Sequence, residues 1–98
     1  MTNETALTTL SQLGGNRAMF MVGGKNIIAD ENTLSFTIGR NTHRISSVRI
    51  TLDPSDTYTM TFLRKAHGGL VVVKEVDDVY ADMLRSIFES TTGMYLSL

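Results

Sequence analysis

Leu7, Leu10 and Leu13 recur at intervals of three, the spacing of one helix face, and Thr2, Asn3 and Thr5 supply capping oxygens at its start. Glu4 stands near the N-terminus, where a carboxylate suits the helix dipole, and Gly14-Gly15 ends the run. From Arg17 onward the apolar period reads as two. Ala18 to Val22 is a short apolar run closed by Gly23-Gly24, with Met19 and Met21 on one strand face and Ala18, Phe20 and Val22 on the other. Two apolar faces predict cover on both sides, from the first helix or from a second subunit. A strand is predicted over 25–29. After the polar turn 30–32, Leu34, Phe36 and Ile38 alternate with Thr33, Ser35 and Thr37, the signature of a half-buried strand. Residues 39–44 are polar and read as a loop.

The clearest element is a hairpin. Val48, Ile50 and Leu52 alternate with Ser47, Arg49 and Thr51; beyond Asp53-Pro54-Ser55-Asp56, Tyr58, Met60 and Phe62 alternate with Thr57, Thr59 and Thr61. Pro54 suits the first central position of a turn. Matching apolar faces requires Leu52 opposite Tyr58 and Ile50 opposite Met60, hence an odd or bulged loop. That register also sets Arg49 beside Thr61. Residues 64–69 form the next turn, with His67-Gly68-Gly69 at its tip. Leu70 to Val76 is a nearly unbroken β-branched run, which predicts a central strand covered on both faces and ended by Lys74-Glu75. Asp77 and Asp78 then read as the cap and first-turn acid of a helix to about Thr92, its apolar stripe being Val79, Tyr80, Met83, Leu84, Ile87 and Phe88. Gly93 sits where a left-handed cap belongs, and Met94 is placed to fold back on the last turn. The predicted fold is one α+β domain over 1–98: a short N-terminal helix, an antiparallel meander sheet of five or six strands, and a C-terminal helix packed on one sheet face.

The chain has 98 residues and 10.8 kDa, enough for one modest core. No cysteine is present, which excludes disulfides, thiolate metal sites and a cysteine nucleophile. Nine Lys+Arg stand against ten Asp+Glu, a formal net charge of −1. That balance argues against an excess of bases for duplex binding and against the dense acidity of a DNA mimic, while leaving room for local basic patches. No apolar run nears the ~20 residues of a membrane span, and residues 1–10 lack a basic, apolar secretory signal. The expected setting is therefore soluble and cytoplasmic, with no membrane partner.

Candidate chemistry is thin. His43 and His67 fall in predicted loops without metal-ligand spacing, and the serines lack a nucleophile elbow, so no catalytic residue, metal site or cofactor is assigned and no enzyme is expected. Gly23-Gly24-Lys25-Asn26 lacks phosphate-loop spacing, and a strand follows it; a hairpin turn is the simpler reading. Asp53, Asp56, Asp77 and Asp78 are explained by turn and cap duty. Met60 and Met83 read as core. What remains is surface recognition. Arg49, Thr51, Thr59 and Thr61 share the polar sheet face and are the expected contacts for a protein partner. Met94, Tyr95, Leu96 and Leu98 form an apolar tail expected to drive homo-oligomer assembly. The alternative is a nucleic-acid surface built from Arg40, Arg44, Arg49, Arg64 and Lys65, although Phe36, Tyr58 and Phe62 point with the core set and leave no aromatic platform.

Three stretches, Leu13-Gly14-Gly15-Asn16 followed by Gly24-Lys25-Asn26, residues 50–58, and Phe88 through Thr92-Gly93-Met94-Tyr95 to Leu98, together resemble a family of short uncharacterised proteins encoded by tailed bacteriophages and prophages. The resemblance covers most of the chain and carries no catalytic or ligand residues to transfer. It implies a phage-encoded accessory protein in the bacterial cytoplasm, a small binder that inhibits or redirects a host protein, such as a defence protein, or a phage protein; the step from family to function is by analogy.

Overall fold

The computed structural model describes residues 4–30, 32–41 and 43–94, leaving aside the side chains of residues 4–7 and 16. Two short helices, α1 (Glu4–Leu13) and α2 (Gly15–Met21), precede five strands: β1 (Lys25–Ala29), β2 (Thr33–Thr37), β3 (Ser47–Leu52), β4 (Tyr58–Ala66) and β5 (Gly69–Val79). One turn of 3-10 helix (Ala81–Met83) leads into α3 (Leu84–Thr92). The sheet is an antiparallel meander in the order β1-β2-β3-β4-β5, so the fold is α+β. The predicted hairpin register holds: Leu52 opposes Tyr58, Ile50 opposes Met60, and Arg49 opposes Thr61.

Alternation along the strands gives the sheet one covered face. Leu34, Phe36, Val48, Ile50, Met60 and Phe62 point to that side and are buried, each at 1% exposure or less. Phe88 of α3 lies over them, its ring centroid 6.2 Å from that of Phe36 and 6.5 Å from that of Phe62, in the tilted arrangement that aromatic pairs prefer. Leu13 from α1 and Val22 after α2 complete the core. Truncating Phe88 to Ala would cost about 3–5 kcal/mol, the usual range for a buried aromatic.

Four sequence expectations are corrected. Residues 18–22 do not form a strand: they belong to α2 and its cap, and Ala18, Met19 and Val22 are buried together at helical spacing while Phe20 is 86% exposed. Gly23-Gly24 is accordingly a helix terminus rather than a hairpin turn. The Gly24 amide donates to the Met19 carbonyl (2.7 Å) and the Gly23 amide to the Phe20 carbonyl (3.3 Å), with Gly23 at φ 66, the bonding of a Schellman cap. A Cβ on Gly24 would come within 2.9 Å of the Met19 sulfur, so the cap also needs that glycine for space. A five-residue apolar run has no reliable period of its own, and the glycines that close it serve a helix as well as a turn.

The remaining three concern the C-terminal third. Arg64 and Lys65 are in β4, not a turn, and the turn itself is only His67-Gly68. The run 70–76 is not central. In a meander each hairpin sets the next strand outside the last, so β5 pairs only with β4 and lies at the edge. Leu70, Val71, Val72 and Val73 are 43–56% exposed. Asp77 and Asp78 do not cap a helix either. The strand continues past them through an irregular step with Asp78 at φ 55, because Val79 reaches the core opposite Tyr58. The helical segment starts only at residue 81, which leaves Tyr80 and Met83 exposed while Leu84 and Phe88 are buried. Gly93 caps α3 in the left-handed region as expected (φ 76), and Met94 packs against the core. No described helix is long and apolar enough to cross a membrane.

Candidate functional site

The loop between β2 and β3 is built around Asn41. Its amide donates to the carbonyls of Gly39 (3.0 Å) and Ile45 (2.7 Å), and its carbonyl oxygen accepts from the Ile45 amide (2.9 Å). Ile45 is 2% exposed and plugs the loop onto the core. Ser46 ties the loop to β4: its amide donates to the Leu63 carbonyl, and its hydroxyl accepts from the Lys65 amide at 3.0 Å. This scaffold gathers side chains that are far apart in sequence. Arg40, Arg44, Arg64 and Lys65 all line one open cavity of about 880 Å³, with no acidic residue among its lining. Arg44 holds φ 59, a region that a long side chain rarely occupies and that typically costs ~1–3 kcal/mol.

A second cavity, of about 350 Å³, adjoins the first. The two share Asn26, Thr37, Ser46 and Lys65 as lining. It lies on the sheet face away from α3 and takes residues from all five strands, including Ile28 of β1 and Leu70 of β5. A flat sheet would hold those two edges about 19 Å apart, four strand spacings. Their meeting on one cavity means that the sheet curls and its open face is a trough. Leu63 is in its floor at 8% exposure, Ile28 and Leu70 form walls at 60% and 54%, and Arg49 and Lys65 supply charge. The Ser47 hydroxyl is buried there without a hydrogen-bond partner among the described residues. An orphaned buried hydroxyl ordinarily has a reason.

The expected partner surface divides. Arg49, Thr51, Thr59 and Thr61 do share the open face, with Arg49 opposite Thr61 and Thr51 opposite Thr59. The threonines, however, are engaged within the chain. Thr61 donates to Glu75 Oε2 (3.1 Å), Thr59 donates to Asp53 Oδ2 (2.7 Å) with Asp77 Oδ1 3.4 Å away, and Thr51 shares a hydrogen bond with Thr33 (3.2 Å). Arg49 is exposed and, like the four cations of the larger cavity, has no ion-pair partner among the described residues. All five residues of the alternative nucleic-acid set therefore line the two connected cavities. Of the assembly tail, Met94 is partly buried against its own core, and Tyr95, Leu96 and Leu98 lie outside the described residues.

The net charge conceals a polarity along the strands. Lys25, Arg40, Arg44, Arg64 and Lys65 gather where β2, β4 and the 39–46 loop meet, with His43 and His67 at the same end. Asp30, Asp53, Asp56, Asp77 and Asp78 fall at the other end, and Asp82 follows just beyond it; these are all the aspartates of the chain. Sequence reasoning counted the charges without noticing that, in a meander, alternate loops share an end. It also missed Ile28, Ser47, Leu63 and Leu70. The adjacent pair Ile27-Ile28, apolar on both faces of an edge strand, was the one available signal. His43 and His67 are exposed, and no group of three His, Asp or Glu suited to a metal ion occurs among the described residues. No family model, curated protein or solved structure matches the chain.

Proposed function

We propose that the chain is a non-enzymatic binding protein whose ligand is a polyanion, a nucleic-acid strand, held at the basic end of the sheet. The observation that carries this reading is the shared cavity of Arg40, Arg44, Arg64 and Lys65, with no acid in its lining and Arg49 in the adjoining trough. Unpaired guanidinium groups around an open cleft favour phosphate, and the balanced overall charge loses its force once the aspartates are seen at the far end. In the setting implied by the resemblance to phage-encoded proteins, the ligand is met in the cytoplasm of an infected bacterium. The test is a titration of a labelled oligonucleotide across salt. Four phosphate contacts to a single strand give a slope of about −2.8 in log affinity against log salt, and so about a 50-fold loss from about 50 to about 200 mM. Replacing both Arg40 and Arg64 by Ala lowers that loss to about 7-fold. No binding at the lowest salt rejects the reading.

A second reading, association with a protein, is favoured by β5. Its eleven residues lie at the sheet edge with Leu70 to Val73 exposed, and an exposed apolar edge is a template for another strand. A second copy is the simplest occupant, because β5 runs from a basic hairpin tip to the acidic Glu75 and Asp77, a polarity that antiparallel self-pairing would complement. Light scattering is then expected to give a mass above 10.8 kDa that falls for Val71→Lys. A concentration-independent monomer excludes it.

A further inference from the structure

Resting on the polyanion reading, we infer that the trough on the open sheet face is a nucleobase site, and that the ligand is single-stranded. The basic cavity and the trough share four lining residues, so a phosphate among Arg40, Arg44 and Arg64 has its neighbouring base beside an apolar floor. Duplex DNA presents phosphates but keeps its bases stacked. An unpaired strand presents both at once. The trough has the features that such a base needs. Leu63 provides an apolar floor, while Ile28 and Leu70 from opposite sheet edges stand as walls that would cover the flat sides of a ring. The cavity of about 350 Å³ falls at the lower end of the ~300–1,000 Å³ typical of small-ligand sites. Ser47 holds a buried hydroxyl without a protein partner on the same floor, a hydrogen-bonding group left for the edge of a base. Arg49 and Lys65 at the rim add charge next to the ring. Aliphatic walls here take the part that an aromatic platform plays in other single-strand binders.

Direct measurement separates this inference from the reading beneath it. Four labelled probes of about 12 nucleotides, a length within the usual single-strand site sizes, are titrated across the same series of salt concentrations: mixed-sequence DNA, the same sequence as RNA, the DNA duplex, and a DNA strand with abasic sugars throughout. The expected result is binding of DNA or RNA strands at least about ten-fold tighter than of the duplex and the abasic strand, the scale of losing one or two stacked bases. Leu70→Ser and Ile28→Ser are exposed changes that leave the core intact; they should bring the strand down to the abasic level with its salt slope unchanged. Arg64→Ala should reduce the slope for every probe. Equal affinity for all four probes overturns the nucleobase site and leaves a phosphate-reading protein. Absence of binding to any of them removes the polyanion reading as well.

Discussion

The two ends of the open sheet face are made of the same strands and resemble each other little. Toward the β3–β4 turn, hydroxyls and carboxylates close on one another: Thr59 on Asp53, Thr61 on Glu75, Thr51 on Thr33. From the row in which Arg49 opposes Thr61 toward the β4–β5 turn, the Ser47 hydroxyl has no hydrogen-bond partner and Arg49 and Lys65 no ion-pair partner among the described residues, and Ile28 and Leu70 are exposed. Hydrogen bonds to charged acceptors contribute stability, whereas a buried hydroxyl without a partner costs it. One end of the face therefore stabilises the fold and the other does not. Groups that a protein leaves unsatisfied at some expense to stability are where a ligand is to be sought.

Reversing charge should break the comparison most strongly. Arg40→Glu together with Arg64→Glu is expected to lower strand affinity by 100-fold or more, roughly 3 kcal/mol, while the urea midpoint stays close to that of the parent, because neither side chain supports the core. Anisotropy and urea titrations on the same preparation decide it; an equal fall in stability would mean that the basic end is structural. The opposite pattern is expected of Thr59→Val. Loss of a hydrogen bond to a charged acceptor at 2.7 Å should cost about 1.5–3 kcal/mol in urea unfolding, with ligand affinity unaltered. A matching loss of affinity would show that the two ends are coupled.

Much of the fold was legible because it depends on alternation. The 47–62 hairpin register follows from matching two apolar faces, and the glycine after α3 follows from its cap. Two of the errors have a common physical origin. Residues 18–22 and 70–73 are apolar on both faces, and composition alone does not say whether the cover comes from a helix, a sheet or a partner. Topology decided the second case by placing β5 last in the meander. The candidate site was half legible. Arg40, Arg44, Arg49, Arg64 and Lys65 were named, but their convergence needed the fold. The trough was hidden because its walls come from the first and last strands, which only the curl of the sheet brings together.

Smaller effects sharpen the contrast. Arg44 occupies a left-handed backbone position at the edge of the basic cavity, a place where Gly would relieve strain. Arg44→Gly is expected to change stability by no more than about 1 kcal/mol, since strain relief and the added freedom of the unfolded chain oppose each other. Affinity for a strand should nevertheless fall several-fold through loss of one phosphate contact. A long side chain kept at strained backbone for structural reasons alone would give the reverse: a clear loss of stability and no change in binding, read from the same two titrations.

The smallest expected effect falls on Ser47, and its sign is informative. A buried hydroxyl without a partner opposes folding, so Ser47→Ala should leave the urea midpoint unchanged or raise it by about 0.5–1 kcal/mol, in contrast to the threonines on the other end of the same face. If the hydroxyl instead meets the edge of a base, the same variant should bind a single strand a few-fold more weakly while its affinity for the abasic strand stays the same. A loss of stability with no change in selectivity would mean that Ser47 has a partner within the folded chain. The orphan would then mark a structural bond, and the trough would lose the unpartnered hydroxyl that singles out the edge of a base from an apolar guest.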